Sequence, residues 1–409
     1  MAILTDQAEQ YIEALATELE IPASRYQQAE TSYNSIGEWL HRAESSVRDY
    51  APDVFVQGSF RLGTAIKPQS ASEEYDIDCA CSLTALSKSD LSQANLKALI
   101  GDEIKLYRKS KGITKKVHES RRCWRLEYAD GAQFHVDIVP CVPNAFDQRM
   151  LLESQNLDTA FADTAVAITD NEVAEYTFIT SDWPRSNPRG YAQWFESRMG
   201  DVFFRQRERV LKEMRAQGIT ASVEDIPTYR VRTPLQRSIM LLKRHRDMMF
   251  ADNPTDKPIS IIISTLAAHA YNGEETIGSA LVSILRRMDG YIEHDGEKYI
   301  IRNPTDALEN FADKWHEYPE RAEAFFTWLR RARVDFESVG SLVDYDRMSE
   351  SLAPRVGRDL TTRVSDSFRP SRPKSSTLLR GATAASAAAL PEVSFSDSPR
   401  VPKKPDGFA

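Results

Sequence analysis

Apolar positions recur at helical spacing through residues 5–50, for instance Tyr33, Ile36, Trp39 and Leu40, and Pro52 follows as a stop. This pattern predicts a helical opening segment. At Val54-Phe55-Val56 the texture becomes β-branched and aromatic, then runs into Gln57-Gly58-Ser59-Phe60-Arg61-Leu62-Gly63-Thr64, which predicts a strand, a turn and a helix start. Period-two alternation covers Tyr75 to Leu83, helical spacing covers Leu91 to Leu106, and alternation returns over Arg122–Tyr128 and Gln133–Val139. Asp130-Gly131 between the last two runs is a hairpin signal, and Pro140 and Pro143 close the region as a mixed sheet.

From residue 146 onward strand signals thin out. Helical spacing then dominates in Tyr191–Glu213, Pro234–Met249, Ile259–Tyr271 and Ile277–Met288, with Thr233-Pro234 as a helix entry. Asp295-Gly296 marks a short hairpin inside Tyr291–Arg302. The order predicts an α+β chain: a helical segment over 1–50, a mixed-sheet core over 51–150, a helical lobe over 151–366 and a tail over 367–409. That tail has 23 Ser, Ala, Pro and Gly among its 43 residues and too few large apolar groups to offset chain entropy, so it is expected to be flexible.

Charge sharpens the picture. The net charge of −8 divides into +4 on the tail and −12 on the rest, which argues against stable duplex nucleic-acid binding by bulk electrostatics and confines any anion site to a local patch. Cys79, Cys81, Cys123 and Cys141 sit in apolar runs without paired spacing and read as small core residues of a reducing compartment. The acidic start lacks the features of a signal peptide, and Ile259 to Tyr271 is too short to cross a bilayer. A cytoplasmic protein without a membrane partner is expected.

Three carboxylates carry the candidate chemistry. Asp76 and Asp78, two apart on a predicted strand, project from one face, and Asp137 sits among Phe134, Val136, Ile138 and Val139, where an unpaired charge is costly. Such hard oxygens suit Mg²⁺, although strand-end aspartates also cap turns or face water. Gly58-Ser59, between a predicted strand and helix, offers free N–H groups and a hydroxyl to phosphate. No Walker-type loop is present. His135 shares the Asp137 face and reads either as a neighbour of the metals or as a packed histidine.

Gln57-Gly58-Ser59-Phe60-Arg61-Leu62-Gly63-Thr64, Asp76-Ile77-Asp78 and His135-Val136-Asp137 together resemble the signature of the DNA polymerase β-like nucleotidyltransferase superfamily. More closely, the chain is similar to the cGAS/DncV-like nucleotidyltransferases, or CD-NTases, of CBASS antiphage systems, and Asn187-Pro188-Arg189-Gly190-Tyr191 and Leu235 to Asp247 extend the likeness. The resemblance implies a polymerase β-like mixed sheet and a cyclic oligonucleotide synthase that joins NTPs, ATP with GTP or others, and releases pyrophosphate. Its overall pattern leans towards an adenine-containing cyclic trinucleotide. By the same resemblance, Asp76, Asp78 and Asp137 hold two Mg²⁺ ions, Asp137 also helps deprotonate the attacking hydroxyl, and Gln57, Gly58, Ser59, Lys243 and Ser260 hold the nucleotide. It further implies a ubiquitin-like ligase acting on the C-terminal tail, with Ala409 as the conjugation site, and an inert tail stands beside this as the alternative reading.

Competing readings remain at this level. Arg237, Lys243 and Arg244 also fit the solvated face of an amphipathic helix, and Leu62 stands where some relatives present an aromatic base-stacking residue, yet fits a core position equally well. Trp183, Tyr191, Trp194 and Phe195 read as packing between the lobes, and Arg330-Arg331-Ala332-Arg333 as a solvated helix end. The functional rivals are a linear or tRNA-modifying nucleotidyltransferase using the same carboxylates, and a non-catalytic binding protein on the same fold.

Overall fold

The computed structural model describes residues 4–68, 75–128, 134–216, 218 and 231–369. The tail beyond Arg369, including Ala409, and the Asp130-Gly131 turn lie outside the described residues. Residues 1–369 form one compact unit.

The opening segment is two helices, α1 (Asp6–Leu19) and α2 (Ala23–His41), broken at Pro22 because proline lacks the N–H that would continue α1. The sheet follows: β1 (Pro52–Val56), the five-residue helix α3 (Gly58–Leu62), β2 (Tyr75–Leu83), α4 (Gln93–Ser110), β3 (His118–Glu119), β4 (Trp124–Glu127) and β5 (Phe134–Pro143). Strand order is β1-β2-β5-β4-β3, with β2 and β5 parallel and the other pairs antiparallel. After α5 (Ala145–Ser154), the strands β6 (Val166–Ile168) and β7 (Arg185–Ser186) extend the same sheet. Sequence patterning places no strand there, since two or three residues are too short to show an alternation.

The helical lobe comprises α6 (Pro188–Ala216), kinked at Gly200, then α7 (Pro234–Met249), α8 (Ser260–Ala270) and α9 (Ile277–Arg287). The expected hairpin is present as β8 (Glu293–His294) with β9 (Tyr299–Ile300), and a second pair, β10 (Arg302–Asn303) with β11 (Asp306–Asn310), follows it. Four more helices complete the unit: α10 (Lys314–Glu317), α11 (Pro319–Gly340), α12 (Tyr345–Val356) and α13 (Arg358–Phe368). Helix α13 continues two residues into the stretch whose composition predicts a tail. No helix among the described residues is long and apolar enough to cross a membrane.

Two large apolar cores organise the unit. One packs α2 and α4 on the sheet through Ile36, Leu40, Ile77, Cys79, Ile100, Val136 and Ile138; the other joins α1 to the helical lobe around Phe195, Leu241, Trp328 and Phe336. Helix α3 bridges them, since Phe60 belongs to the first and Leu62 to the second. The aromatic residues divide likewise. Trp183 joins the sheet core while Tyr191, Trp194 and Phe195 join the helical one, so they are not a single inter-lobe cluster. Cys79, Cys81 and Cys141 are buried as expected, whereas Cys123 is half-buried.

The solvated-face reading of α7 is overturned. Lys243 and Arg244 are buried, Lys243 Nζ donates to the Thr64 carbonyl at 3.0 Å, Arg244 Nε donates to Val356 O, and Arg237 pairs with Glu20. A basic stripe was readable, but its acceptors come from distant segments. The Arg331 and Arg333 of the short basic run are likewise paired, with Asp335 and with Asp289.

One contact between α7 and α3 is made by Gln236. This fully buried side chain accepts from Thr233 N at 2.9 Å, completing a capping box, and its Nε2 donates to Leu62 O at 2.9 Å. Replacing it with an apolar isostere leaves two sheltered backbone groups without their partner, at about 1–3 kcal/mol each. Gln236→Leu is therefore expected to lower the thermal unfolding midpoint in calorimetry, and an unchanged midpoint would show that the lobes do not depend on this contact.

Candidate active site

The parallel register of β2 and β5 sets Asp76 opposite His135 and Asp78 opposite Asp137, so all four side chains share one sheet face. The alternate residues Ile77, Cys79, Val136 and Ile138 are fully buried on the opposite face, which fixes the register, because a one-residue slip would place the acids in the core. On the far side of β5, Arg125 of β4 stands opposite Asp137 and grips it in a fork, Nε to Oδ1 at 2.8 Å and Nη2 to Oδ2 at 2.7 Å. His135 Nε2 lies 3.1 Å from Asp76 Oδ1.

Asp76, His135 and Asp137 each present a ligand atom within 4.8 Å of the others. The electrostatics show the strain of this crowding. Burial, followed by the charges of Asp76 and Asp137, pushes Asp78 up to about 7. Burial also raises Asp76, but the His135 hydrogen bond and the charges of His135, Arg125 and Lys243 outweigh it and leave Asp76 below its ordinary value. His135 is raised, chiefly by its bond to Asp76. A divalent cation placed among these oxygens would relieve the repulsion, and the donor set, mostly carboxylate, fits Mg²⁺.

Beside the acids opens a cleft of about 560 Å³ lined by Gly58, Ser59, Asp76, Asp78, Lys243 and Ser260, among others. Gly58 adopts φ +62°, and a Cβ there would collide with the Asp78 carboxylate, reaching its Cγ at 3.1 Å. The glycine thus lets the turn backbone lie against the acids. Gln57 immediately precedes α3, and its N–H donates to Asp78 O at 2.8 Å, tying the turn to β2. Ser59 O accepts from Thr64 N and Ala65 N, which folds the following loop back over the turn.

Lys243 approaches from α7. Burial, then the nearby Arg246 charge, lowers it to about 8, while Asp247, Asp78 and Asp76 pull the other way. Its ammonium is held by Thr64 O and lines the cleft, as does Ser260, the first residue of α8. Leu62 is buried in the helical core and also lines the cleft.

The structure therefore brings Asp76, Asp78, Asp137, Gly58, Ser59, Lys243 and Ser260 into one region, with Gln57 at its edge. Sequence reading missed Arg125, whose role depends on the β4–β5 register, and Arg246, whose Nη1 donates to Ser260 Oγ at 2.9 Å and to Pro258 O at 3.0 Å. Arg246 also pairs with Asp247, which Lys257 approaches at 3.3 Å. The alternation of Arg125 with Trp124 and Leu126 was the only signal for the first, and nothing local marked the second.

Comparison with known proteins agrees with this geometry. Residues 52–141 match the family model for the nucleotidyltransferase domain of cyclic GMP-AMP synthase DncV-like proteins. A c-di-GMP synthase of Roseivirga ehrenbergii is 27% identical over 81% of this chain and 80% of its own, and cyclic dinucleotide synthase CdnG of Bradyrhizobium diazoefficiens is 23% identical over 87% and 81%. The solved structure of the Bradyrhizobium CD-NTase CdnG in complex with GTP superposes with a TM-score of 0.66 at 20% identity, covering 89% of this chain and 99% of that one. Residues 52–141 are therefore a DncV-like nucleotidyltransferase domain, set in a chain with the fold of the CD-NTases.

Proposed function

We propose that the protein is a Mg²⁺-dependent cyclic dinucleotide synthase that uses GTP as at least one substrate. The observation that carries this reading is the row Asp78–Asp137–Arg125 with Asp76 and His135 on one sheet face, opening onto the Gly58-Ser59 cleft. The names of the similar synthases, a c-di-GMP synthase and CdnG, support a dinucleotide and guanine over the adenine-containing trinucleotide to which the overall sequence pattern leans. A role in antiphage defence, and a ligase partner acting at Ala409, belong to the proposal through the resemblance.

In this reading the hydroxyl oxygen of an acceptor ribose attacks the α-phosphorus of a donor NTP. A new P–O bond forms, the bond to the β-phosphate bridge breaks, pyrophosphate departs, and the hydroxyl proton passes to Asp137. A second transfer, in which the remaining hydroxyl attacks the remaining triphosphate, closes the ring. Mg²⁺ held by Asp76, Asp78 and Asp137, two ions in the family pattern, would supply neutralisation of the triphosphate and a lower pKa for the attacking hydroxyl.

The chain's own residues position the reactants. The Gly58-Ser59 turn offers backbone N–H groups and a hydroxyl to the phosphates, and Lys243, charged for the most part at neutral pH, provides a local cation. His135 holds Asp76, and Arg125 holds Asp137, so neither carboxylate spends binding energy on reorientation. Arg246 holds Ser260 at the cleft wall.

Incubation of the purified chain with the four NTPs and Mg²⁺ should yield a phosphatase-resistant product whose mass is that of a cyclic dinucleotide, together with one pyrophosphate per bond. Asp76→Asn and Asp137→Asn should each lower the rate at least ~100-fold while leaving the folded state intact by circular dichroism. A phosphatase-sensitive ladder would favour a linear nucleotidyltransferase, and equal activity in the variants would refute the site.

Gly58→Ala tests the close approach separately. The added methyl meets both a left-handed φ and the Asp78 carboxylate, so the turn must withdraw from the acids. Activity is expected to fall ~100-fold or more with a preserved circular dichroism spectrum, since a displacement of about 1 Å suffices for a loss of that order. Wild-type rates in this variant would show that the turn does not hold the donor.

A further inference from the structure

A second, larger cleft of about 1030 Å³ begins where the first ends. Ile261 lines both. Cys123 also lines the second cleft, and its thiol interacts with the Asp137 carboxylate, so the space starts on the Asp137 side of the acids while Gly58, Ser59 and Lys243 occupy the other side. A nucleotide whose ribose hydroxyl reaches Asp137 therefore has this second cleft available for its base.

Four charged groups gather in one part of that cleft. Asp306, buried, accepts from Arg185 Nε at 2.9 Å, and Glu309 accepts from Asn303 Nδ2 through Oε2 at 2.7 Å. Arg122 and Arg185 both act electrostatically on Glu309. Among the described acids lining the cleft, Glu175, Asp182 and Asp313 are exposed and Asp306 is engaged by Arg185. Glu309 is the sheltered carboxylate whose second oxygen, Oε1, has no hydrogen bond among the described residues. Burial raises the affinity of this carboxyl for its proton, the sign of an acceptor held in a poorly solvated place.

We propose that Glu309 is a specificity-determining residue that selects guanine in the acceptor nucleotide by accepting from its N1–H and 2-amino group. An ionised carboxylate offers acceptors only, through two oxygens in a fork. Guanine presents two adjacent donors on its Watson–Crick edge. Adenine presents a donor beside a bare N1 acceptor, and that acceptor would face the carboxylate without a proton between them. Uracil carries one donor between two acceptors, and cytosine one donor followed by two acceptors, so neither offers two adjacent donors. Asn303 holds the carboxylate in place, and Arg185, itself fixed by Asp306, supplies a cation of the kind that pairs with guanine O6 and N7. Arg185 is half-buried, and among the described residues its guanidinium is bonded to Asp306 through Nε.

This inference rests on the nucleotidyltransferase reading, and two measurements separate the two. The first is equilibrium binding of GTP and of ATP to the full-length chain by calorimetry. The second is the base composition of products formed from an equimolar mixture of the four NTPs, by mass spectrometry. Glu309→Gln replaces one acceptor with a donor, which opposes guanine and matches adenine. The ratio of GTP to ATP affinity should fall by about 10- to 100-fold in the variant, and the guanine share of product should fall with it, by up to about half. Glu309→Asp, which keeps the charge but withdraws it by one methylene, should show a smaller fall in the same direction and serves if the Gln variant folds poorly.

A wild-type protein that binds ATP as tightly as GTP overturns the assignment of Glu309, whatever the catalytic result. So does an unchanged preference in folded Glu309 variants. A wild-type protein that prefers GTP in binding, loses that preference in Glu309→Gln, and yet forms no product would refute the synthase reading and leave the base-reading role standing.

Discussion

Like charges that face each other across two hydrogen-bonded parallel strands are the constraint around which this structure is arranged. Asp78 and Asp137 occupy one register position, and Asp76 lies one pleat away on the same face. The fully buried reverse face, with Ile77, Cys79, Val136 and Ile138, prevents the strands from slipping to separate them. The repulsion is met from outside: Arg125 forks onto Asp137, His135 bonds Asp76, and Asp78, with no such partner among the described residues, is raised to about 7 by burial and by its two neighbours. An array of this kind is a poor structural element and a good receptacle for a divalent cation carrying a triphosphate.

The second dependence runs between lobes. Helix α7 holds the loop after the Gly58-Ser59 turn at two carbonyls, Leu62 O through Gln236 and Thr64 O through Lys243. Phe60 and Leu62 anchor the short helix between them in separate cores. The turn is thereby pressed towards Asp78, and only a residue without Cβ fits at position 58. Lobe packing, the Gly58-Ser59 turn and the acidic cluster are thus one mechanical unit. The same buried lysine that braces the loop supplies the cleft's positive charge.

Much of this was legible in the sequence because it depends on local periodicity. Alternation through Tyr75–Leu83 placed Asp76 and Asp78 on one face, and alternation through Gln133–Val139 placed Asp137 among apolar neighbours. Helical spacing located α4, α7, α8 and α9 to within a few residues. What escaped depends on register or on distant partners. Arg125 is an ordinary strand residue until β4 pairs with β5, Arg246 is one more base in a basic helix until α8 brings Ser260 to it, and Glu309 lies on a five-residue strand with no pattern of its own. The basic stripe of α7 also fits a solvated face in the sequence because its carbonyl partners lie more than a hundred residues away in the chain.

On the proposed reading, Asp76, Asp78 and Asp137 stand in this arrangement to hold a divalent cation. Mn²⁺ binding, followed by electron paramagnetic resonance with and without a non-hydrolysable GTP analogue, tests it apart from turnover. The folded wild-type chain should bind Mn²⁺, more tightly with the analogue present, and Asp137→Asn should lose this binding. Equal Mn²⁺ binding by the wild-type and Asp137→Asn proteins, or none by the wild type, would contradict it.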